Sequence, residues 1–196
     1  MAQGLISLPD AFDPLRDALD RAGIRYAVGG SWASTAFGEP RFTNDVDILA
    51  DLTPENLQGF LQFLPRTFYV DAEDALKAVR GGRPFNAIHI PTVLKFDLFP
   101  AASFALGAEE LDRAIVLEDS GLSTGPARFV TPEDILLAKL HWFRLGGEAS
   151  AVQWRDIEGV VRACFDSLDR EYLQRSADKL GVRNLLDTSL DSFSRP

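Results

Sequence analysis

Three aspartates have the residue type and spacing expected of a cation-binding site. Asp45 and Asp47 are separated by one residue of an apolar segment, and Asp97 interrupts a second apolar segment. Residues i and i+2 of a β-strand project from the same face, so Asp45 and Asp47 are expected to point together. Two carboxylates this close repel each other unless a cation lies between them, and Mg²⁺ prefers carboxylate oxygens together with substrate phosphates. Asp97 likewise requires a metal or a cationic partner, because a buried carboxylate is otherwise costly.

A glycine-rich turn precedes the aspartates in the chain. Gly29-Gly30-Ser31 follows a short apolar segment, residues 26–28, and opens a helix predicted over residues 31–37. Glycines allow backbone N–H groups to approach a ligand closely, and a helix N-terminus adds partial positive charge. With the hydroxyl of Ser31 as a further donor, this arrangement predicts a cradle for phosphate groups.

Each motif also has an ordinary structural interpretation. Ser31 would serve as an N-cap of its helix even without a ligand. Asp45 and Asp47 would suit the solvated face of an exposed edge strand. Lys95, two residues before Asp97, shares its face and would suit an ion pair with it. The functional interpretation therefore depends on the three motifs occurring together in one chain.

The elements that position these residues are predicted from apolar periodicity and from capping and turn residues. Residues 1–130 are predicted to form an α/β part and residues 131–196 a helical part, as one domain or two. Strands are expected at residues 26–28, 45–49, 86–90, 94–99, 115–117 and 127–130. Helix starts are expected at Asp13-Pro14, Thr53-Pro54, Asp71 and Thr131-Pro132, with later helices over residues 151–165, 169–180 and 182–192.

The combined motifs resemble the hallmark of the DNA polymerase β-like nucleotidyltransferase superfamily, over about residues 25–100. The resemblance implies an α/β (α+β) fold with a nucleotidyltransferase-type mixed sheet flanked by helices, followed by a helical C-terminal part. It also implies an enzyme that moves a nucleoside monophosphate from a nucleoside triphosphate (NTP) to an acceptor, with Mg²⁺ or Mn²⁺ as cofactor. By that resemblance the catalytic residues and metal ligands are Asp45, Asp47 and Asp97, in a two-metal site. Asp45 and Asp47 would hold metal with the NTP, and Asp97 would complete the second metal site and help to activate the acceptor hydroxyl, although the sequence itself does not give the number of metals. The nucleotide-binding residues include Gly29, Gly30 and Ser31.

The C-terminal part resembles the AbiEii/AbiGii toxin-like branch of that superfamily. The resemblance rests on the Thr-Pro-Glu-Asp run that leads to Lys139 and on a later Arg-Asp pair, Arg155-Asp156. It implies that Lys139 reaches the nucleotide phosphate and that Asp156 supports the site. Alternatively, the stem of Lys139 covers the core while its amine reaches water, and Arg155 and Asp156 form a surface pair.

Four more residues lie near these motifs in the sequence. Arg41 would contact phosphate or hold its loop, and Thr43 is a supporting residue at the start of the Asp-x-Asp segment. His89 alternates with its apolar neighbours and is expected on the same side of the sheet as the aspartates. His89 and His141 are both interpreted as structural residues.

The composition restricts the classes of binding partner and the cellular compartment that are expected for this protein. The net charge of −9 disfavours a broad nucleic-acid interface, although a local basic groove and a nucleic-acid acceptor stay open. The lone Cys164, the lack of an apolar run long enough for a bilayer, and an N-terminus without a signal-peptide pattern predict a cytoplasmic protein with no membrane partner.

The acceptor remains open between tRNA, a protein and a small molecule, and a partner protein is possible. A toxin-like role follows only from the family resemblance. An aminoglycoside-type reaction is compatible with the sequence, because small cationic acceptors suit an acidic cleft. A non-catalytic nucleotide- or partner-binding module, antitoxin-like or degenerate, is the main alternative, and a metal-dependent nuclease is a third.

Overall fold

The computed structural model describes residues 7–38 and 43–193, and it contains two compact units. The first unit comprises residues 1–28 and 44–129, and the second comprises residues 29–43 and 130–196. The helical unit thus includes a segment from the N-terminal half of the chain. The domain boundary expected at residue 130 stays a prediction.

The first unit combines a sheet with helices. In chain order its elements are α1 (Leu8–Arg21), β1 (Tyr26–Val28), β2 (Asp45–Ala50), α3 (Pro54–Phe63), β3 (Phe68–Tyr69), α4 (Ala72–Arg80), β4 (Phe85–His89), β5 (Leu94–Pro100), a 3₁₀ turn (Ala101–Ser103), α5 (Gly107–Arg113), β6 (Ile115–Leu117) and β7 (Ala127–Phe129). All the predicted strands are present, with ends that differ by at most one residue. The sequence patterns missed β3 and α5, both of which are short.

The sheet is mixed, as predicted for this fold class. Within the described residues it has seven strands in the order β3-β4-β5-β2-β1-β7-β6. The pairs β2–β5 and β1–β7 are parallel, and the other pairs are antiparallel. Strand β2 is therefore an interior strand, flanked by β5 and β1. The alternative that Asp45 and Asp47 lie on an edge strand is wrong.

Apolar residues alternate with polar residues along the two central strands, and this alternation fixes which face of the sheet is buried. Val46 and Ile48 of β2 and Phe96 and Leu98 of β5 are fully buried. They form the core with the apolar stripe of α1, in which the Phe12 ring lies 6.4 Å from the ring of Phe96. The residues between them in the sequence therefore project from the opposite face.

Helix α1 begins earlier than the Asp13-Pro14 pair predicts. Its N-cap is Ser7, and the carboxylate of Asp10 accepts the backbone N–H of Ser7 at 2.6 Å and its hydroxyl at 2.9 Å. Asp13 instead accepts hydrogen bonds from the hydroxyls of Ser123 and Thr124. The Asp-Pro pair resembles a cap, but its carboxylate anchors a distant loop.

The second unit consists of helices. Its elements are α2 (Gly30–Phe37), α6 (Pro132–Leu145), α7 (Ala151–Cys164), α8 (Arg170–Leu180) and α9 (Arg183–Asp191). Helix α6 starts as predicted, because the hydroxyl of Thr131 accepts the backbone N–H of Asp134 and Pro132 occupies the first helical turn. In the described ranges, no helix combines the length and the apolar character that crossing a bilayer requires.

Candidate functional site

The three predicted catalytic aspartates lie on one face of two neighbouring strands in the first unit. In the parallel pairing of β2 with β5, Asp45 lies opposite Lys95 and Asp47 lies opposite Asp97. Neighbouring strands are about 4.8 Å apart, so the four side chains form one compact group. We call the surface that carries Asp45, Asp47, Lys95 and Asp97 the acid face. The structure thus brings together residues that are separated by up to about 50 positions in the sequence.

Lys95 is the cation of the acid face. Its Nζ lies 2.8 Å from Oδ2 of Asp97 and 4.0 Å from Oδ2 of Asp45. The hydrogen bond to the Asp97 carboxylate, reinforced by the charges of Asp97, Asp45 and Asp47, raises the pKa of Lys95 above its ordinary value, although partial burial opposes this. The ion pair between Lys95 and Asp97 that the sequence suggested is therefore present. It leaves the acid face with more negative than positive charge.

The acid face is open at one end and covered at the other. The side chains of Asp45 and Lys95 are 44% and 39% exposed, whereas that of Asp97 is 16% exposed. Further along β5, Phe99 projects from the same face and packs against Phe104, with ring centroids 5.9 Å apart. A ligand can therefore approach the carboxylates where β2 and β5 begin.

Strand β4 extends this face but does not contribute a histidine to it. Asn86 lies opposite Asp97 in the antiparallel pairing of β4 with β5 and is exposed. His89 lies on the other face, where it is 4% exposed, its Nδ1 is 2.9 Å from the hydroxyl of Thr92 and its ring is 4.9 Å from that of Phe68. The expectation that His89 shares the side of the aspartates is wrong, and its interpretation as a structural residue fits these contacts.

The carboxylates of the acid face fit a divalent cation by their chemistry. They supply oxygen ligands, which Mg²⁺ and Mn²⁺ prefer, and a net negative charge. In the described part of the chain, no three acidic, histidine or cysteine side chains converge tightly enough to form a ready-made metal site. Within the acid face, Oδ2 of Asp97 lies 2.8 Å from the ammonium of Lys95. The assignment of Asp45, Asp47 and Asp97 as metal ligands stays a prediction.

The glycine turn belongs to the second unit and begins directly after β1. Gly29 is the N-cap residue of α2, and Gly30 is its first residue, with a φ of +55°. This left-handed conformation favours glycine, so a side chain at position 30 would strain the turn. Ser31 lies inside the first turn, so the alternative that it is the N-cap is wrong. The role of these residues in holding phosphate stays a prediction.

Lys139 and Asp156 form a buried ion pair in the second unit. Nζ of Lys139 lies 2.8 Å from Oδ2 of Asp156, and the two side chains are only 10% and 8% exposed. This contact joins α6 to α7. Neither a lysine amine extended into water nor a surface pair of Arg155 and Asp156 describes this arrangement. Whether Lys139 also contacts a nucleotide phosphate is not decided by the pair, and that role stays a prediction.

Buried carboxylates at the start of α6 have hydrogen-bond partners within the second unit. Asp134 is fully buried and accepts hydrogen bonds from the hydroxyls of Thr131 and Tyr172. The carboxylate of Glu133 accepts the backbone N–H of Asp169, the N-cap of α8, at 3.0 Å. The acidic first turn of α6 therefore forms hydrogen bonds to the start of α8. These hydrogen bonds give the Pro-Glu-Asp segment a structural role.

Sequence reasoning described the surroundings of the aspartates incompletely. It treated Lys95 only as a partner of Asp97, although the register also places Lys95 beside Asp45. It missed Asn86, whose position opposite Asp97 depends on the pairing of β4 with β5. Thr43 is partly buried, and its supporting role stays a prediction. Arg41 lies outside the described residues.

Comparison with known proteins gives a likeness in fold. No protein-family model matches the chain, and no curated protein sequence matches it. Among solved structures, an antigenic nucleotidyltransferase-like protein from Paracoccidioides brasiliensis is 17% identical, with a TM-score of 0.57 over 94% of this chain and 92% of that one.

Two further solved structures match with TM-scores below 0.5 and add no weight. One is the antibiotic-resistance factor ANT(2'')-Ia, with 20% identity and a TM-score of 0.46 over 92% of this chain and 91% of that one. The other is a putative nucleotidyltransferase from H. pylori, with 11% identity and a TM-score of 0.40 over the full length of both chains.

The likeness to the Paracoccidioides brasiliensis structure, together with the mixed sheet, shows that this chain has a nucleotidyltransferase-like fold.

Proposed function

We propose that this protein is a metal-dependent nucleotidyltransferase that moves a nucleoside monophosphate from an NTP to an acceptor. The observation that carries the proposal is the acid face, where Asp47 and Asp97 lie in register on adjacent parallel strands, with Asp45 on the same face. Negative charges are costly to place together without a function that uses them. The nucleotidyltransferase-like fold supports the proposal independently.

In this reaction an acceptor oxygen forms a bond to the α-phosphorus, and the bond from that phosphorus to the bridging oxygen of the β-phosphate breaks. Pyrophosphate leaves. The proton of the acceptor hydroxyl passes to the carboxylate of Asp97, which Lys95 holds in place at its Oδ2. Asp97 is the less exposed of the two aspartates that pair with Lys95, at 16% against 44% for Asp45.

Asp45 and Asp47, with Asp97, are the residues that would hold Mg²⁺ or Mn²⁺. A divalent cation bound there would neutralise phosphate charge and stabilise the attacking and leaving oxygens. The backbone N–H groups of Gly29 and Gly30 and the hydroxyl of Ser31 would bind phosphate oxygens of the NTP. In this account Lys139 adds a positive charge for the nucleotide and Asp156 holds Lys139 in position.

A small cationic molecule is the acceptor class that the charge of the protein favours. The net charge is −9, and the acid face adds a local excess of negative charge. Both attract cations and repel the phosphate backbone of a nucleic acid. A tRNA or protein acceptor, and the toxin-like role that the AbiEii/AbiGii resemblance implies, are the competing proposals.

The test is a survey with α-labelled NTPs. The protein is incubated with each NTP, with Mg²⁺ or Mn²⁺, and with total tRNA, a protein extract or a set of cationic small molecules in separate reactions. The proposal expects label in one acceptor fraction, and none with the Asp45→Asn/Asp47→Asn variant. Nucleotide binding without any transfer would favour a non-catalytic binding module. Cleavage of labelled nucleic acid without incorporation would favour a nuclease.

A further inference from the structure

A row of paired residues continues the acid face across strands β4 and β3. Lys95 of β5 lies opposite Ile88 of β4, and Ile88 lies opposite Tyr69 of β3. On the other side, Lys95 lies opposite Asp45 of β2. Residues that are paired directly across neighbouring strands project from the same face of a sheet. Asp45, Lys95, Ile88 and Tyr69 therefore form one row across four strands.

The contacts of Phe68 show independently which way Tyr69 projects. Phe68 precedes Tyr69 on β3 and is buried, with its ring 4.9 Å from that of His89 and 6.0 Å from that of Phe96. These residues belong to the core face of the sheet. Successive residues of a strand project from opposite faces, so Tyr69 lies on the side of the acid face.

The end of this row carries a group of uncharged side chains that are open to solvent. Tyr69, Ile90 and Val93 are 58%, 55% and 77% exposed, and Ile90 and Val93 belong to the turn that joins β4 to β5. We call Tyr69, Ile88, Ile90 and Val93 the apolar strip. Single exposed apolar residues are common, whereas a group of them marks a surface that binds a ligand or a partner.

The position of the apolar strip favours the acceptor as its occupant. Asp97, which takes the proton of the acceptor hydroxyl in the proposed function, lies on β5, the strand next to β4. Two strand spacings separate β5 from β3, so Tyr69 lies roughly 10–12 Å from Lys95 and Asp97 along the sheet. A small molecule can span that distance. An exposed tyrosine offers a flat face against which a ring can pack.

We propose that the apolar strip binds an uncharged ring of the acceptor while the acceptor hydroxyl lies at Asp97. This inference rests on the proposed function and narrows its acceptor class. The acceptor is then a small cationic molecule with an aromatic or other apolar ring roughly 10–12 Å from the reacting hydroxyl. Tyr69 determines this preference, because it is the aromatic member of the strip.

The test compares two amines that differ only in the ring. Nuclear magnetic resonance titrations of the full chain give dissociation constants for 4-phenylbutylamine and for butylamine. The wild type is expected to bind 4-phenylbutylamine roughly tenfold more tightly than butylamine. Tyr69→Ala is expected to lose most of that difference and to bind butylamine as before. Tyr69→Phe keeps the ring and is expected to behave like the wild type.

Two further variants make the test specific and keep it decisive. Val116→Ala is the matched control, because Val116 is 52% exposed on β6, at the opposite edge of the sheet, and this variant should bind both amines like the wild type. Val93→Gly removes an apolar side chain at a φ of +56°, which glycine adopts readily, so this variant should stay folded. It is expected to bind 4-phenylbutylamine about threefold more weakly. A thermal melt checks the folding of each variant.

The inference is overturned if the wild type binds both amines equally, or if folded Tyr69→Ala and Val93→Gly bind 4-phenylbutylamine like the wild type. Titration of the same variants with each NTP and Mg²⁺ separates the acceptor from the nucleobase. Weaker NTP binding by Tyr69→Ala would assign the apolar strip to the nucleobase and would also overturn the inference.

The survey with α-labelled NTPs distinguishes failure of this inference from failure of the proposed function. If transfer occurs and depends on Asp45 and Asp47, the proposed function stands whatever the amine titrations show. If 4-phenylbutylamine binding depends on Tyr69 but no transfer is detected, the proposed function fails, and the assignment of the ring to an acceptor fails with it. Label on tRNA would contradict a small ring-bearing acceptor while leaving nucleotidyl transfer intact.

Discussion

Asp47 and Asp97 lie directly opposite each other on two adjacent parallel strands, and their side chains share the acid face with Lys95. Asp47 comes from the first strand after the glycine turn, and Asp97 comes from a hairpin about 50 residues later. Two carboxylates in register on neighbouring strands repel each other, so this arrangement has an electrostatic cost.

Magnesium is expected to stabilise the folded protein through the acid face. A ligand that binds only the native state raises the free energy of unfolding by about 2.7 kcal/mol at a concentration a hundred times its Kd. Urea unfolding at increasing Mg²⁺ concentrations should show this rise for the wild type and not for Asp45→Asn/Asp47→Asn. Asp51→Asn, which removes only an exposed partner of Arg25, is the control and should respond like the wild type.

Breaking the buried pair of Lys139 and Asp156 is expected to destabilise the protein. Removing one partner takes away the opposite charge that the other faces at 2.8 Å in a buried position. Lys139→Met or Asp156→Asn should therefore each lower the free energy of unfolding by about 3–5 kcal/mol. The double variant Lys139→Met/Asp156→Leu should recover most of that loss, because it buries no charge. Urea denaturation measures the free energy of unfolding of the two single variants and of the double variant.

The double variant also separates the two roles assigned to Lys139. If Lys139 contacts the NTP, the stable double variant should bind nucleotide more weakly than the wild type. Unchanged nucleotide affinity, measured by calorimetry with each NTP, would leave Lys139 with a structural role only.

Alanine substitutions at Gly107 and Gly59 are expected to change the free energy of unfolding in opposite directions. A Cβ at Gly107, the first residue of α5, would lie 2.1 Å from the backbone oxygen of Ala101, so Gly107→Ala requires the backbone to shift. A Cβ at Gly59, within α3, would meet nothing closer than the Cβ of Ala22 at 3.9 Å. Gly59→Ala should therefore raise the free energy of unfolding by about 0.5–1 kcal/mol. Gly107→Ala should lower it, and a loss in both variants would contradict this account.

His89 is expected to make stability depend on pH. Burial lowers the pKa of His89 from its ordinary value of 6.5, and the negative charge of Asp10 only partly opposes this. Near and below pH 6.5 the unfolded chain takes up a proton on this ring before the folded protein does. The contribution of neutral His89 to the free energy of unfolding is therefore complete above pH 6.5. It is lost progressively as the pH falls from 6.5 to the lowered pKa of His89 in the folded state.

The corresponding measurement compares urea unfolding of the wild type and of His89→Phe between pH 8 and pH 5. Phenylalanine keeps an aromatic ring against Phe68 but cannot titrate. The wild type should lose more stability than the variant over this range. Equal losses in the two proteins would show that His89 is not the group responsible.

Most of the elements could be predicted because their local signals are strong. Thr131-Pro132 caps α6, Asp71 caps α4, and the alternation of Val46 and Ile48 with aspartates identifies β2 and its buried face. The failures have physical causes. Ser7 and Asp10 cap α1 while Asp13 binds a loop more than 100 residues away, and no local pattern reports that contact.

The acid face could be predicted only in part. The i, i+2 spacing gives the common direction of Asp45 and Asp47, but the position of Asp97 opposite Asp47 depends on the β2–β5 pairing. The same pairing decides that Lys95 lies beside Asp45. The partner of Lys139 was equally hidden, because Asp156 lies on a different helix and the pair forms only when α6 and α7 pack together.

The most direct test of the central claim compares α-labelled with γ-labelled NTP in the presence of the best acceptor fraction. Nucleotidyl transfer predicts that the acceptor gains the α-label and not the γ-label, and that the γ-label leaves as pyrophosphate. Asp47→Asn should abolish this, while Asp51→Asn should not. Label from the γ-position on the acceptor, or equal transfer by Asp47→Asn and the wild type, would contradict the account.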